Sequence, residues 1–208
     1  MKKVFLGIGV VLGTMASAQT TNDGIRFGIK GGGNLSTITD GKFKNTEHKF
    51  GFNGGVFMNV PLSSQFNFQP EVIYNYVGAK TTTEGSSSKT YSTNLGYVTV
   101  PLMVQLNVTP ELYVEAGPEF GYLVNANNKL KDGNTSTTDN WSKDALDELK
   151  RFNAGGAIGL GYRITDNWGV NARYTNGFTK IGKKDTTIGK EFRNSKNENI
   201  QLGLNYTF

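Results

Sequence analysis

The nine residues that close this chain, 200–208, alternate without a fault. Ile200, Leu202, Leu204, Tyr206 and Phe208 are apolar, and Gln201, Gly203, Asn205 and Thr207 between them are small or polar. Successive side chains of a strand point to opposite faces, so this stretch reads as a β-strand with one greasy and one wet side. A soluble sandwich can contain one such strand. A membrane barrel with a polar lumen is built of them, one face toward lipid and one toward the interior. The fold therefore turns on how often the pattern recurs.

Seven earlier segments repeat it. Near 25–35, Ile25, Phe27, Ile29 and Leu35 oppose Arg26, Lys30 and Asn34; Gly31, Gly32 and Gly33 interrupt them and predict a bend or bulge. Near 50–60, Phe50, Phe52, Val56, Met58 and Val60 face out, and Phe57 is a misfit on the inner face with Asn53 and Asn59. Near 66–78 the inner set is Asn67, Gln69, Glu71, Ile73 and Asn75. Near 95–108, Val98, Val100, Leu102, Val104 and Leu106 face out. Pro101 falls on the inner face there and predicts a bulge. The segments near 112–124, 152–164 and 168–176 place Tyr113, Glu115, Glu119 and Asn125, then Arg163, then Arg173 on the inner face.

The connections carry a second pattern. Residues 61–65, 109–110 and 165–167 are brief and rich in turn formers, whereas 36–49, 79–94, 126–151 and 179–198 are long and polar. Long and short alternate strictly. That is the signature of an up-and-down barrel with tight turns on one rim and extended loops on the other; an immunoglobulin-like sandwich has no reason to alternate so regularly. Aromatic residues near the segment ends, among them Tyr122, Tyr162, Trp168, Tyr174, Tyr206 and Phe208, sit where amphipathic rings meet the headgroup levels. The expectation is an all-β fold: an eight-stranded antiparallel up-and-down transmembrane barrel, with both termini on the periplasmic side and the long loops outside.

Composition supports this by exclusion. No stretch approaches the ~20 consecutive apolar residues of a spanning helix. The chain has no cysteine, which removes disulfides and thiolate metal sites. Residues 1–18 read as a secretory signal peptide: Lys2 and Lys3 are the basic start, an apolar run follows, and Ala16, Ser17 and Ala18 form the small-x-small site. Residues 19–208 are then the barrel domain. Two of the 22 basic residues lie in the signal, leaving 20 against 17 acidic ones, too slight an excess to imply nucleic acid.

Several motifs resemble the small outer-membrane β-barrel proteins common in Bacteroidetes, the porin family or PorT-like group. Gly28, Lys30, Gly32, Asn34 and Ser36 fit that family's opening G-x-K-x-G-x-N-x-S strand. Gln69, Pro70, Glu71 and Tyr74 are similar to its third strand, Tyr97 and Pro101 to its fourth, and Gly117 and Pro118 to its fifth. The resemblance covers essentially the whole mature chain. It implies an outer-membrane location and a link, in one branch, to protein secretion.

The candidate site residues are the charges on the inner faces: Arg26, Lys30, Glu71, Glu115, Glu119, Arg163 and Arg173. Four basic against three acidic groups predict a lumen charge network, because an eight-stranded barrel has room inside only for side chains. A water or ion path is the functional alternative. Catalysis is not expected. Glu115 and Glu119 lie four residues apart on one strand face, roughly 13 Å by strand rise, too far for a glycosidase pair. The single histidine, His48, falls in a loop, and no cofactor or metal is expected. A short helix is expected over residues 142–150, inside the longest loop, with Ser142 as its cap. The expected partners are outer-membrane lipid, the barrel-assembly machinery during biogenesis, and envelope or secretion proteins reached through the loops. The protein is expected to be a monomer.

Overall fold

The computed structural model describes residues 24–39, 49–83, 89–132, 135–140, 151–179 and 196–208. They form nine strands: β1 (Arg26–Thr39), β2 (Lys49–Pro61), β3 (Phe66–Thr83), β4 (Lys89–Asn107), β5 (Leu112–Asp132), β6 (Thr135–Asn140), β7 (Phe152–Arg163), β8 (Trp168–Gly177) and β9 (Lys196–Thr207). Neighbours pair antiparallel in the ring β1-β2-β3-β4-β5-β7-β8-β9, which closes where β9 meets β1. Closure leaves the eight ring strands without a free edge. β6 lies outside the ring and pairs with the far end of β5, from Asn127↔Asn140 to Asp132↔Thr135.

The two faces separate as alternation requires. Leu202, Ile158 and Leu204 are 62%, 61% and 53% exposed, whereas Arg173, Glu71 and Gln105 are 2%, 2% and 1% exposed. A protein bathed in water does not leave its branched aliphatics outside and sequester its charges. The exposed belt ends in aromatic clusters. Trp168, Tyr206 and Phe208 meet edge-to-face in series near the short turns, with ring centroids 5.0 and 5.5 Å apart. Phe52 meets Tyr76 and Tyr74 toward the other rim. Phe152 and Tyr162 bracket the apolar face of β7. At about 3.3 Å per residue and a tilt of about 40°, they are about 25 Å apart along the barrel axis, the height of an outer-membrane apolar band.

The three short turns share one construction. Ser63, Thr109 and Thr165 each accept two backbone N–H bonds on the side-chain hydroxyl: from Gln65 and Phe66, from Glu111 and Leu112, and from Asn167 and Trp168. In each turn the carbonyl of the last of these residues receives the N–H of the Ser or Thr and of the residue before it. The hydroxyl engages turn donors that the ladder cannot reach.

Four local expectations are corrected. Gly31, Gly32 and Gly33 carry neither bend nor bulge; the register of β1 runs unbroken against β2 and β9. Glycine is needed there for close approach. Gly32 stands opposite Gly203, and a Cβ on it would strike the Leu202 carbonyl and the Gly203 Cα. Pro101 also lacks a bulge: Pro70↔Leu102 and Ile73↔Thr99 keep one register across it. The bulge lies elsewhere. Gly96 pairs with Asn125 but Tyr97 pairs with Leu123, so Val124 is the extra residue on β5. An extra residue flips every later side chain. Asn125 is therefore exposed rather than inward, and Ala126 is buried.

The fourth correction concerns the long connections. β3 and β4 continue to Thr83 and from Lys89, β5 continues to Asp132, and β6 follows. Much of the expected loop at 79–94 and part of that at 126–151 is paired strand. The alternation fades there because the sequence turns to Thr, Ser and Asn, which pair as strands with no apolar face to mark them. The signal peptide, His48 and the whole of the expected helix at 142–150 lie outside the described residues.

Candidate functional site

The lumen holds one concentrated set of charges. Lys30, Glu71, Glu115 and Arg173 come from β1, β3, β5 and β8, which are alternate members of the closed ring. Alternate strands of a barrel place their inward side chains in one layer. These four accordingly meet across the bore. Arg173 Nη1 and Nη2 donate to Glu71 Oε2 and Oε1 at 2.7 and 2.8 Å, a two-pronged pair. Its Nε and Nη2 also donate to Glu115 Oε1 at 2.8 and 2.6 Å. Lys30 Nζ reaches Glu71 Oε1 at 3.2 Å. Two positive and two negative charges balance, and all four side chains are shielded from solvent.

A neutral amide layer holds the carboxylates in place. Gln69 Nε2 donates to Glu71 Oε1 at 2.8 Å, and Gln105 Nε2 donates to Glu115 Oε2 at 3.2 Å. Asn59 Nδ2 bridges the two glutamines, donating to Gln69 Oε1 at 3.0 Å and Gln105 Oε1 at 2.9 Å. Each carboxylate thus receives both a cation and an amide donor, which is what a charge away from water requires. Alternation places Asn59 and Gln69 on the inner face. Their part as a brace follows from register, which composition does not reveal.

Above and below this layer the bore is filled. Phe57 and Tyr113 are buried on the short-turn side, each ring lying over a glycine, Gly28 and Gly161. Toward the other rim Val77, Leu95, Leu123 and Ala126 form an apolar layer inside the lumen, each at most 2% exposed. The Val77↔Leu95 and Leu95↔Ala126 pairings bring them together.

Three of the seven candidate charges stand apart from the cluster. Arg26 and Arg163 are the first residue of β1 and the last of β7, so they sit at the short-turn rim. Arg163 donates to Asn107 Oδ1 at 2.9 Å and to the Pro110 carbonyl at 3.0 Å, with its guanidinium 4.8 Å from the Tyr113 ring centroid. Among the described residues Arg26 reaches the Asp166 carbonyl alone, at 3.4 Å. Glu119 is inside, but no ion pair or hydrogen bond reaches its carboxylate among the described residues, and its Oε2 is fully buried. Among the described residues no cluster of His, Asp or Glu has the makings of a metal centre of three or more such ligands.

The sequence and the fold both match known proteins. Residues 17–182 match the family described as outer membrane protein beta-barrel domain. No curated protein matches the chain. Among solved structures the fold is similar to Ail, the attachment invasion locus protein of Yersinia pestis, with a TM-score of 0.50 at 13% identity over 88% of this chain and 98% of that one. Ail in complex with the heparin analogue sucrose octasulfate gives 0.51 at 13% identity over 88% and 99%. Neisserial surface protein A gives 0.50 at 13% identity over 88% and 97%.

Proposed function

The chain belongs to the outer membrane protein beta-barrel domain family, and from that premise we propose that it is a plugged barrel that works through its outer rim, neither as an enzyme nor as an open pore. Its place is the outer membrane. The observation that supports the reading is the charge layer: Arg173 spans the bore to Glu71 and Glu115 and fills it with paired side chains. The apolar layer of Val77, Leu95, Leu123 and Ala126 closes the lumen a second time. No charge in the cluster is held as an activated acid or nucleophile would be; every one is engaged by a partner of opposite sign.

The rim offers the working surface. β3, β4, β5 and β6 continue beyond the ring as a polar sheet, and β6 pairs on one side only among the described residues. Such a sheet suits adhesion or the docking of envelope proteins. Membership of a PorT-like secretion assembly is the second reading, favoured by that one-sided strand, because an unpaired strand edge accepts a further strand from another protein. Outer-membrane lipid surrounds the belt, the barrel-assembly machinery inserts it, the barrel stays monomeric, and the leader at residues 1–18 directs export. Conductance across a planar bilayer is the test. The plugged reading expects none above baseline; steady, ion-selective steps would favour a narrow porin-like channel. Gentle detergent extraction and identification of co-purifying secretion proteins separates the second reading from the first.

A further inference from the structure

Beyond the ring, β3, β4, β5 and β6 form a sheet whose register fixes which residues share a face. Lys80, Ser92, Lys129 and Thr138 make one cross-strand row. Two residues further out, Lys131 is paired with Thr90 on one side and Ser136 on the other. Positions two apart on a strand fall on the same face, so Lys80, Lys129 and Lys131 share one. The intervening rows belong to the opposite face. They carry Asp132 and Asp139, with Lys89 paired to Asp132. Charge is therefore segregated among the described residues of these extensions: three lysines and no acidic residue on one face, both aspartates on the other.

The lysine face has a definite direction. The register of β3 against β4 runs without a shift from Ile73↔Thr99 to Thr83↔Lys89. Lys80 is thus on the side of β3 that carries Val72, Tyr74 and Tyr76, which is the lipid side: Val72 is exposed and Tyr76 stacks on the exposed Phe52. Lys80 lies four residues beyond Tyr76. At about 3.3 Å per residue and a tilt of about 40°, that is about 10 Å further from the hydrocarbon. Belt aromatics already sit at the headgroup level, and the headgroup layer is only about 5–8 Å deep. The lysine rows therefore stand above the glycerol phosphates of ordinary lipids. A phosphate at their height is one carried outward on a sugar.

We propose that this face binds the phosphorylated sugar headgroups of glycolipid in the surrounding outer leaflet, with Lys80, Lys129 and Lys131 as its cationic positions. Lys129 and Lys131 are about 7 Å apart along β5, and Lys80 is two strands, about 10 Å, from Lys129. Lysines clustered over a membrane attract anionic lipid. The hydroxyl residues Ser92, Thr90 and Ser136 at the positions between and beside them supply hydrogen-bond donors of the kind sugars and phosphates accept. The inference shares with the proposed function the outer placement of this rim. It uses neither the open edge of β6 nor the filled lumen.

The test uses the full-length barrel refolded in detergent and immobilised. Rough lipopolysaccharide is the probe, a glycolipid with phosphates on its sugars, used before and after chemical removal of those phosphates. Each lysine near an anionic surface strengthens binding about five-fold, so the combined variant Lys80→Gln, Lys129→Gln, Lys131→Gln should bind the phosphorylated probe at least about ten-fold more weakly than the parent. Dephosphorylation should weaken the parent to the same degree. Lys89→Gln, on the opposite face, should match the parent. Heat-modifiable gel mobility checks that every variant remains a closed barrel. Equal binding of the two probes by the parent would overturn the proposal, as would a combined variant that binds as tightly as the parent, or an equal loss in Lys89→Gln. Phosphatidic acid bound as tightly as the lipopolysaccharide would also overturn it, because its phosphate lies at glycerol depth. A conducting lumen would contradict the plugged reading and leave all of these outcomes unchanged.

Discussion

Arg173 and Glu71 stand on opposite walls of the barrel and meet inside it. Their strands, β8 and β3, are diametrically opposed in the ring, yet both terminal guanidinium nitrogens reach both carboxylate oxygens, at 2.7 and 2.8 Å. A tie of this kind braces the cylinder across its diameter. Hydrogen bonds between adjacent strands cannot do so.

Breaking that tie should cost more than any surface change. Glu71→Ala leaves Arg173 with Glu115 alone and Lys30 without its anion, and removal of one partner of a buried pair costs about 3–5 kcal/mol. Glu111→Ala, at an exposed turn, should stay within about 0.5 kcal/mol. Urea unfolding of the protein refolded into lipid vesicles gives both values. Equal costs would mean the cluster contributes no more than a surface charge.

The brace makes a subtler prediction. Asn59→Leu removes the donor to Gln69 and Gln105 without touching a charge. The two glutamines are then free to turn away from Glu71 and Glu115. The expected loss is about 1–3 kcal/mol, as for orphaned buried polar groups. In a double-mutant cycle Asn59→Leu and Gln69→Leu should be strongly non-additive, since both act on one chain of bonds.

The shared turn construction predicts three similar small effects. Ser63→Ala, Thr109→Ala and Thr165→Ala each free two backbone donors, and each should cost about 0.5–1.5 kcal/mol. Thr109→Ser and Thr165→Ser keep the hydroxyl and should be near neutral. Chemical denaturation in vesicles distinguishes the two classes.

The alternation of the terminal strand made the architecture legible, together with the strict succession of long and short connections. Parity of position told which residues face in. It could not tell at what height along the barrel they sit. Arg26, Arg163 and Arg173 share the inward parity, yet only Arg173 reaches the central cluster, because height depends on the stagger between strands. Parity is also fragile. One extra residue at Val124 turned Asn125 outward and brought Ala126 in. The strand extensions escaped the pattern for a simpler reason: their sequence is dominated by Thr, Ser, Asn and Lys and carries no apolar alternation to mark a face.

Lipid depth supplies a further prediction. Leu202 lies on the exposed belt of β9, and Phe208 ends the chain in the aromatic cluster. Leu202→Arg should destabilise by about 2–4 kcal/mol if it faces the bilayer interior, and Phe208→Arg by about 0–1 kcal/mol from charge alone, because the penalty fades toward the interface. Two equal costs would remove the depth dependence on which the belt rests.

A transmembrane barrel requires one particular side of β9 to meet hydrocarbon. The chain has no cysteine, so single cysteines can be placed at Gln201 and Leu202 and labelled with one fluorophore each. Quenching by brominated lipid chains in reconstituted vesicles then reads the faces of two adjacent residues. The prediction is strong quenching at position 202 and little at position 201. Strong quenching at 201 with none at 202 would contradict the membrane barrel described above.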